Sequence, residues 1–222
     1  IAGIFQSIGS LSYDNAIVLP KKDEHAKAIF LLSFMISGTV AFLISLIFFF
    51  FKDKIISLLQ IEEVAPFFLL IPIWVFFAVC TDIIEQWLTR KEQFRKKASV
   101  TDINTSVVNA SKIGAGMYSP SVLFLVFIAT FGYALNAALL SFSQFSFSKK
   151  GVKSIKKANW FSISHAYRMA KKYFDFPLYR APQVFVQSIS VKLPTLLLAS
   201  FFGPVSVGWY ALGTRAVKVP SN

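Results

Sequence analysis

A chain of 222 residues that is 55% hydrophobic, with 25 Phe and only 15% charged side chains, lies well below the roughly 25% charge of an ordinary soluble domain. Its apolar runs reach twenty residues, which a soluble core does not need and a membrane span does. The net charge of +12 does not signal nucleic acid, because sixteen of the 23 Lys and Arg sit in three loops: Lys21, Lys22 and Lys27; Arg90, Lys91, Arg95, Lys96 and Lys97; and eight from Lys149 to Lys172. The connections between carry Lys52 and Lys54, so basic residues mark every second loop, as cytoplasmic loops of membrane proteins do.

In chain order, the pattern predicts two incomplete spans and five complete ones. The first incomplete span ends near Leu19, where Pro20, Lys21, Lys22, Asp23 and Glu24 mark the exit into water. Residues 28–51 form the plainest span, about 36 Å long at 1.5 Å per residue, enough for a hydrocarbon core of about 30 Å. A polar connection at 52–65 holds Asp53, Glu62 and Glu63. The next span, 66–88, opens on Pro66 and ends at Trp87, an interfacial ring.

After the basic loop 89–97 comes a weaker span, 98–118; Pro120 then breaks the chain and 121–145 returns. In the connection 146–176, Trp160, Phe161, Ile163, Tyr167, Ala170 and Phe174 recur at helical spacing opposite Lys156, Lys157, Arg168, Lys171 and Lys172. That pattern fits either a basic amphipathic helix on an anionic membrane surface or a soluble linker helix. Pro177 closes it, 178–202 spans again, and Gly203-Pro204 turns into a last partial span. The chain opens without Met and stops within a span, so both ends read as cut. The expected fold class is all-α, a polytopic transmembrane bundle, with the basic loops cytoplasmic and those at 52–65, 119–120 and 203–204 external.

Polar groups inside spans are the functional candidates, since an ionisable side chain at mid-bilayer costs about 2.5–3.5 kcal/mol on insertion scales and turns to protein or a wet cavity. In 98–118, Asp102, Thr105, Ser106, Asn109 and Lys112 share one helical face and point to a cavity wall, or to a polar helix satisfied by its neighbours. Lys192 precedes the helix-loosening Pro194, and Arg215 and Lys218 fall near mid-depth of the last span; with Lys112 they make a cationic interior suited to an anionic substrate such as a diphosphate. Arg180, near a cytoplasmic end, either joins them or snorkels to the interface. Asp82 and Glu85, i and i+3 on 66–88, either hold a coupling ion or proton, with Asp102 a third candidate, or pair with Lys or Arg on a neighbouring helix.

Other chemistry is sparse. Cys80 is a lone thiol in an apolar run and has no disulfide partner. His25 and His165 lack metal-ligand spacing, and there is no Gly-rich phosphate loop or nucleophile–base arrangement. No metal, cofactor or enzymatic role is expected.

Four stretches together resemble one family. Tyr13 to Pro20, followed by Asp23-Glu24 and Ala26; Trp87-Leu88-Thr89-Arg90-Lys91 with Phe94; Phe176-Pro177-Leu178-Tyr179, Pro182 and Pro194 to Leu198; and Phe202-Gly203-Pro204 with Gly208 to Leu212 and Arg215 are similar, in order and spacing, to Wzx-type polysaccharide flippases. These belong to the superfamily that also holds the MATE drug exporters and lipid II flippases. The resemblance covers the whole chain and implies a piece of a two-lobe transporter of roughly twelve helices or more, from late in the second helix to midway through the eighth. Residues 1–145 would then be most of the N-terminal lobe, 146–177 the cytoplasmic connection and 178–222 the start of the C-terminal lobe.

The implied function is alternating-access flipping of undecaprenyl-diphosphate-linked oligosaccharide across the bacterial inner membrane, for O-antigen, capsule or exopolysaccharide. Polysaccharide polymerase and glycosyltransferases would be its partners, and membrane lipids its surroundings. Of the basic candidates only Arg215 lies within a matching motif. A lipid II flippase and a MATE-like exporter of organic cations are the alternative transporters, although a cationic interior would repel the latter's cargo. A membrane polymerase or acyltransferase is the alternative enzyme, against which the external connections of about 2 to 14 residues leave little room for an active site.

Overall fold

A computed structural model of the chain describes residues 2–59, 70–118, 122–146 and 163–218. Every regular element among them is helical: α1 (Ala2–Gln6), α2 (Tyr13–Ala16), α3 (Asp23–Leu59), α4 (Leu70–Arg90), α5 (Phe94–Tyr118), α6 (Val122–Ser146), α7 (Ile163–Lys172), a π-turn at Phe176–Arg180, and α8 (Ala181–Lys218). Four of these helical stretches, Asp23–Phe51, Leu70–Arg90, Phe124–Phe142 and Phe176–Gly203, are long and apolar enough to cross a membrane. The expected all-α membrane bundle is therefore what the chain forms.

Its centre is α4, which packs against α1, α2, α3, α5 and α6. Two apolar stripes at four-residue spacing explain why. Val75, Val79 and Ile83 join Ile17, Ile29 and Phe48 in one core; Cys80, Ile84 and Leu88 join Ala137 and Leu140 of α6 in a second. Thr81, Asp82 and Glu85 lie on the remaining side of the same helix, at 100° per residue. Outward from the bundle the side chains are apolar: Phe42, Phe49 and Phe50 on α3 and Phe131 on α6 are all exposed. A water-soluble protein hides such residues, whereas a chain surrounded by lipid presents them.

α5 fails the apolarity needed for a span, yet its exposed residues include Ile103, Val107, Ile113 and Met117. Asn104 and Thr101 turn toward α6 while Asp102 and Ser106 share the exposed side with the apolar residues, so α5 has a mixed outer face.

Two departures from the expected elements have physical causes. The first span is not continuous: residues 7–12 leave the helix between α1 and α2, with Leu11 and Ser12 in the left-handed region at φ 49° and 60°. Three-residue turns replace the α-helical bonds there, as in Leu11 N–H to Ile8 O at 2.9 Å and Tyr13 N–H to Ser10 O at 3.1 Å. At the other end of the first hairpin, α3 runs past Phe51 to Leu59, because Lys52-Asp53-Lys54 contains no helix breaker; the rest of the expected connection lies outside the described residues. The turn expected at Gly203-Pro204 is present: Gly203 (φ 77°, ψ 178°) breaks α8 there, in a conformation that costs glycine little.

α7 lies on α3 rather than free of the bundle. Ala166 and Met169 are buried, the Tyr13 hydroxyl donates to Ala170 O at 3.1 Å, and the rings of His25 and His165 stand 5.5 Å apart. Tyr167 and Phe174, expected on the helix's apolar face, are exposed beside Arg168, Lys171 and Lys172; Trp160 and Phe161 lie outside the described residues.

Candidate functional site

The break in the first span opens a polar hollow of about 250 Å³ lined by Gly3, Gln6, Ser10, Asp14, Asp82 and Val184, among others. The sequence Ser7-Ile8-Gly9-Ser10-Leu11-Ser12 makes the break intelligible. Small hydroxyl side chains bond to nearby backbone and compete with the helix, and Gly weakens it further. Ser7 Oγ donates to Ile4 O at 2.6 Å, and Ser10 Oγ donates to the Asp14 carboxylate at 2.5 Å. Non-helical backbone at membrane depth is tolerated where it lines such a cavity.

A second hollow of about 380 Å³ adjoins it between α4, α5 and α6. Gln6 and Asp82 line both, and Gln6 Nε2 donates to Asp82 Oδ2 at 2.8 Å on their shared wall. Asp82 lies eight residues before Arg90, about 12 Å along the helix axis, within the apolar stretch Leu70–Arg90. The α5 wall of this hollow is Thr101, Asn104, Thr105, Val108, Asn109 and Lys112, and α6 supplies Gly132, Tyr133 and Asn136. Close approach of α5 and α6 depends on Gly132, where an added Cβ would stand 2.7 Å from Val108 Cγ2.

Several polar atoms of the second hollow have no partner. Asn104 and Asn136 are 8% and 7% exposed, and their Oδ1 atoms accept no hydrogen bond; nor does Thr101 Oγ1 have a partner. Buried polar groups are nearly always bonded, so such acceptors indicate a place where water or a ligand sits. Glu85, by contrast, is paired with Lys97 at 2.9 Å.

The expected site residues are distributed as follows. Lys112, Thr105, Asn109, Asp82 and Glu85 meet around the second hollow. Asp102 is exposed and does not line it; the inward face of α5 is rotated by about 65° from the expected one at 100° per residue. Lys192 is half-buried on α8, its ammonium so close to Gly3 that a Cβ there would collide with it, which puts Lys192 beside the first hollow. Arg180 is exposed on the π-turn between Pro177 and Pro182. Arg215 and Lys218 belong to α8, and their side chains lie outside the described residues. Among the described residues no group of three or more His, Cys, Asp or Glu is placed to hold a metal ion.

Sequence reasoning missed Gln6, Asp14, Asn104, Tyr133 and Asn136. The Ser-Gly-Ser run is the signal that would have exposed the first two, and a single amide within an apolar span would have exposed Asn136.

A family model described as polysaccharide biosynthesis protein matches residues 1–222. The chain belongs to that family. No curated protein and no solved structure matches it. Family and fold together make it a membrane protein of polysaccharide biosynthesis.

Proposed function

We propose that this chain is the greater part of the first lobe, with the start of the second, of an alternating-access transporter. Its cargo is undecaprenyl-diphosphate-linked oligosaccharide, which it flips across the bacterial inner membrane for assembly into a surface polysaccharide. The observation that carries the reading is a polar hollow between α4, α5 and α6 in a bundle whose long helices α3 and α6 expose apolar side chains. Such a hollow shields a hydrophilic head group while lipid tails stay in the bilayer. The resemblance to Wzx-type flippases and the family match over the whole chain point the same way.

The division of labour follows from charge. Lys192 of α8, with Arg215 further along the same element, is the candidate anchor for the diphosphate, because ammonium and guanidinium groups make charge-assisted bonds of about 1.5–3 kcal/mol to such oxygens. Asp82, bonded to Gln6 between the two hollows, is the candidate coupling residue. The carboxyls of Asp14 and Asp82 favour one second reading, a MATE-like cation exporter; family membership weighs for the saccharide.

The test uses the full-length protein in proteoliposomes loaded with labelled undecaprenyl-diphosphate-linked repeat unit. Glycan should become accessible to an external glycosidase over time, and Lys192→Ala or Arg215→Ala should slow this at least tenfold without loss of insertion. Exposure no faster than in protein-free vesicles would end the flippase reading. Efflux of an organic cation instead would favour the exporter.

A further inference from the structure

Within this transport reading, on which the inference rests, the two hollows differ in chemistry. We propose that the hollow between α4, α5 and α6 is a glycan subsite that takes uncharged sugar rings through their hydroxyl groups.

The unpartnered atoms say what the ligand must supply. Asn104 Oδ1 and Asn136 Oδ1 are acceptors in residues more than nine-tenths buried, and Thr101 Oγ1 is unpaired on the same wall. Sugar hydroxyls donate to such atoms and accept in return from Lys112, the basic residue lining the hollow. The carboxyl groups of Asp82 and Glu85 offer further acceptor oxygens. Phosphate oxygens cannot donate to an amide oxygen, so the two Oδ1 acceptors select hydroxyl groups over them.

Shape agrees with this assignment. A volume of about 380 Å³ far exceeds the roughly 10–15 Å³ that one water-sized guest occupies by the same measure, and it lies in the range of small-molecule pockets. A lone cation would leave most of it empty. Tyr133 forms one side, and Trp74 braces its ring edge-on at 4.8 Å. An aromatic ring on the wall suits the apolar C–H groups of a pyranose, while the amides meet its hydroxyl groups.

The experiment measures binding to the detergent-solubilised full-length protein by calorimetry with three probes. These are the free oligosaccharide released by mild acid from the host's lipid-linked repeat unit, undecaprenyl diphosphate bearing no sugar, and sodium chloride alone. Asn104→Ala and Asn136→Ala should each weaken the free oligosaccharide tenfold or more and undecaprenyl diphosphate less than twofold. The melting temperature of each variant without ligand is measured alongside, so that a loss of folding is not read as a loss of binding. If Asn104→Ala does not fold, Thr101→Val probes the same wall. Equal weakening of both lipid-derived probes, or unchanged oligosaccharide binding in the variants, overturns the subsite while leaving flipping by the wild type intact. A sodium response lost in the variants, with the oligosaccharide unmoved, also overturns it and assigns the hollow to a cation. A wild-type protein that binds neither oligosaccharide nor undecaprenyl diphosphate removes the transport reading itself.

Discussion

Arg90 closes α4 and ties it to the chain leaving the first span. Nη1 donates to Pro20 O at 2.6 Å and to Ile17 O and Val18 O at 3.3 Å, while Nη2 meets Asp23 at 3.0 Å. Its side chain is only 10% exposed, against 53% for Asp23. The fork geometry therefore matters more than the ion pair, since an exposed pair is worth about 0–1 kcal/mol and an unmet buried carbonyl costs about 1–3 kcal/mol. Arg90→Ala should lower the melting temperature of the solubilised protein by several degrees. Asp23→Asn should lower it much less, because Arg90 keeps its carbonyls; a melting curve of each variant decides. Equal losses would assign the stability to the ion pair. Arg90→Lys should recover only part of the loss, because one ammonium cannot serve three carbonyls and a carboxylate together.

At the scale of elements, hydropathy located α3, α4, α6 and α8 because lipid imposes one rule on all of them: about twenty apolar residues satisfied by their own helical bonds. That rule does not fix rotation about a helix axis, which neighbours decide. Asp102 and Asn104 differ by two residues in α5, yet the first is exposed and the second buried against α4 and α6. Hydropathy also does not report a break that turns and serine hydroxyls satisfy, so the hollow along Ser7 to Ser12 was illegible as a span signal. The α5–α6 contact provides a test at this scale. Gly132→Val should force Val108 away and cost about 1–3 kcal/mol by overpacking. Adding Val108→Ala should restore most of the melting temperature. No recovery in the double variant would mean that Gly132 serves the fold through something other than this approach.

Across the whole molecule, the described parts of the basic loops meet at one end of the bundle. Arg90 and Lys91 both reach Asp23, Tyr13 bonds to the backbone of α7, and His25 stands against His165. Segments far apart in sequence thus share one side, and from their Lys and Arg content we propose that this side is cytoplasmic. Single cysteines introduced in a Cys80→Ala background test the assignment, Cys80 being buried and small enough to replace at modest cost. Glu92→Cys, at the exposed turn between α4 and α5, and Lys171→Cys on α7 should resist a membrane-impermeant maleimide in intact cells and react after permeabilisation. Gln60→Cys, beyond the far end of α3, should react in intact cells. Orientation matters to the proposed function, in which a lipid-linked glycan is taken up from the cytoplasm and the hollow would open first toward the end where α7 docks. Labelling of Glu92→Cys from outside would invert the protein, and the transport step would then have to begin at the opposite face.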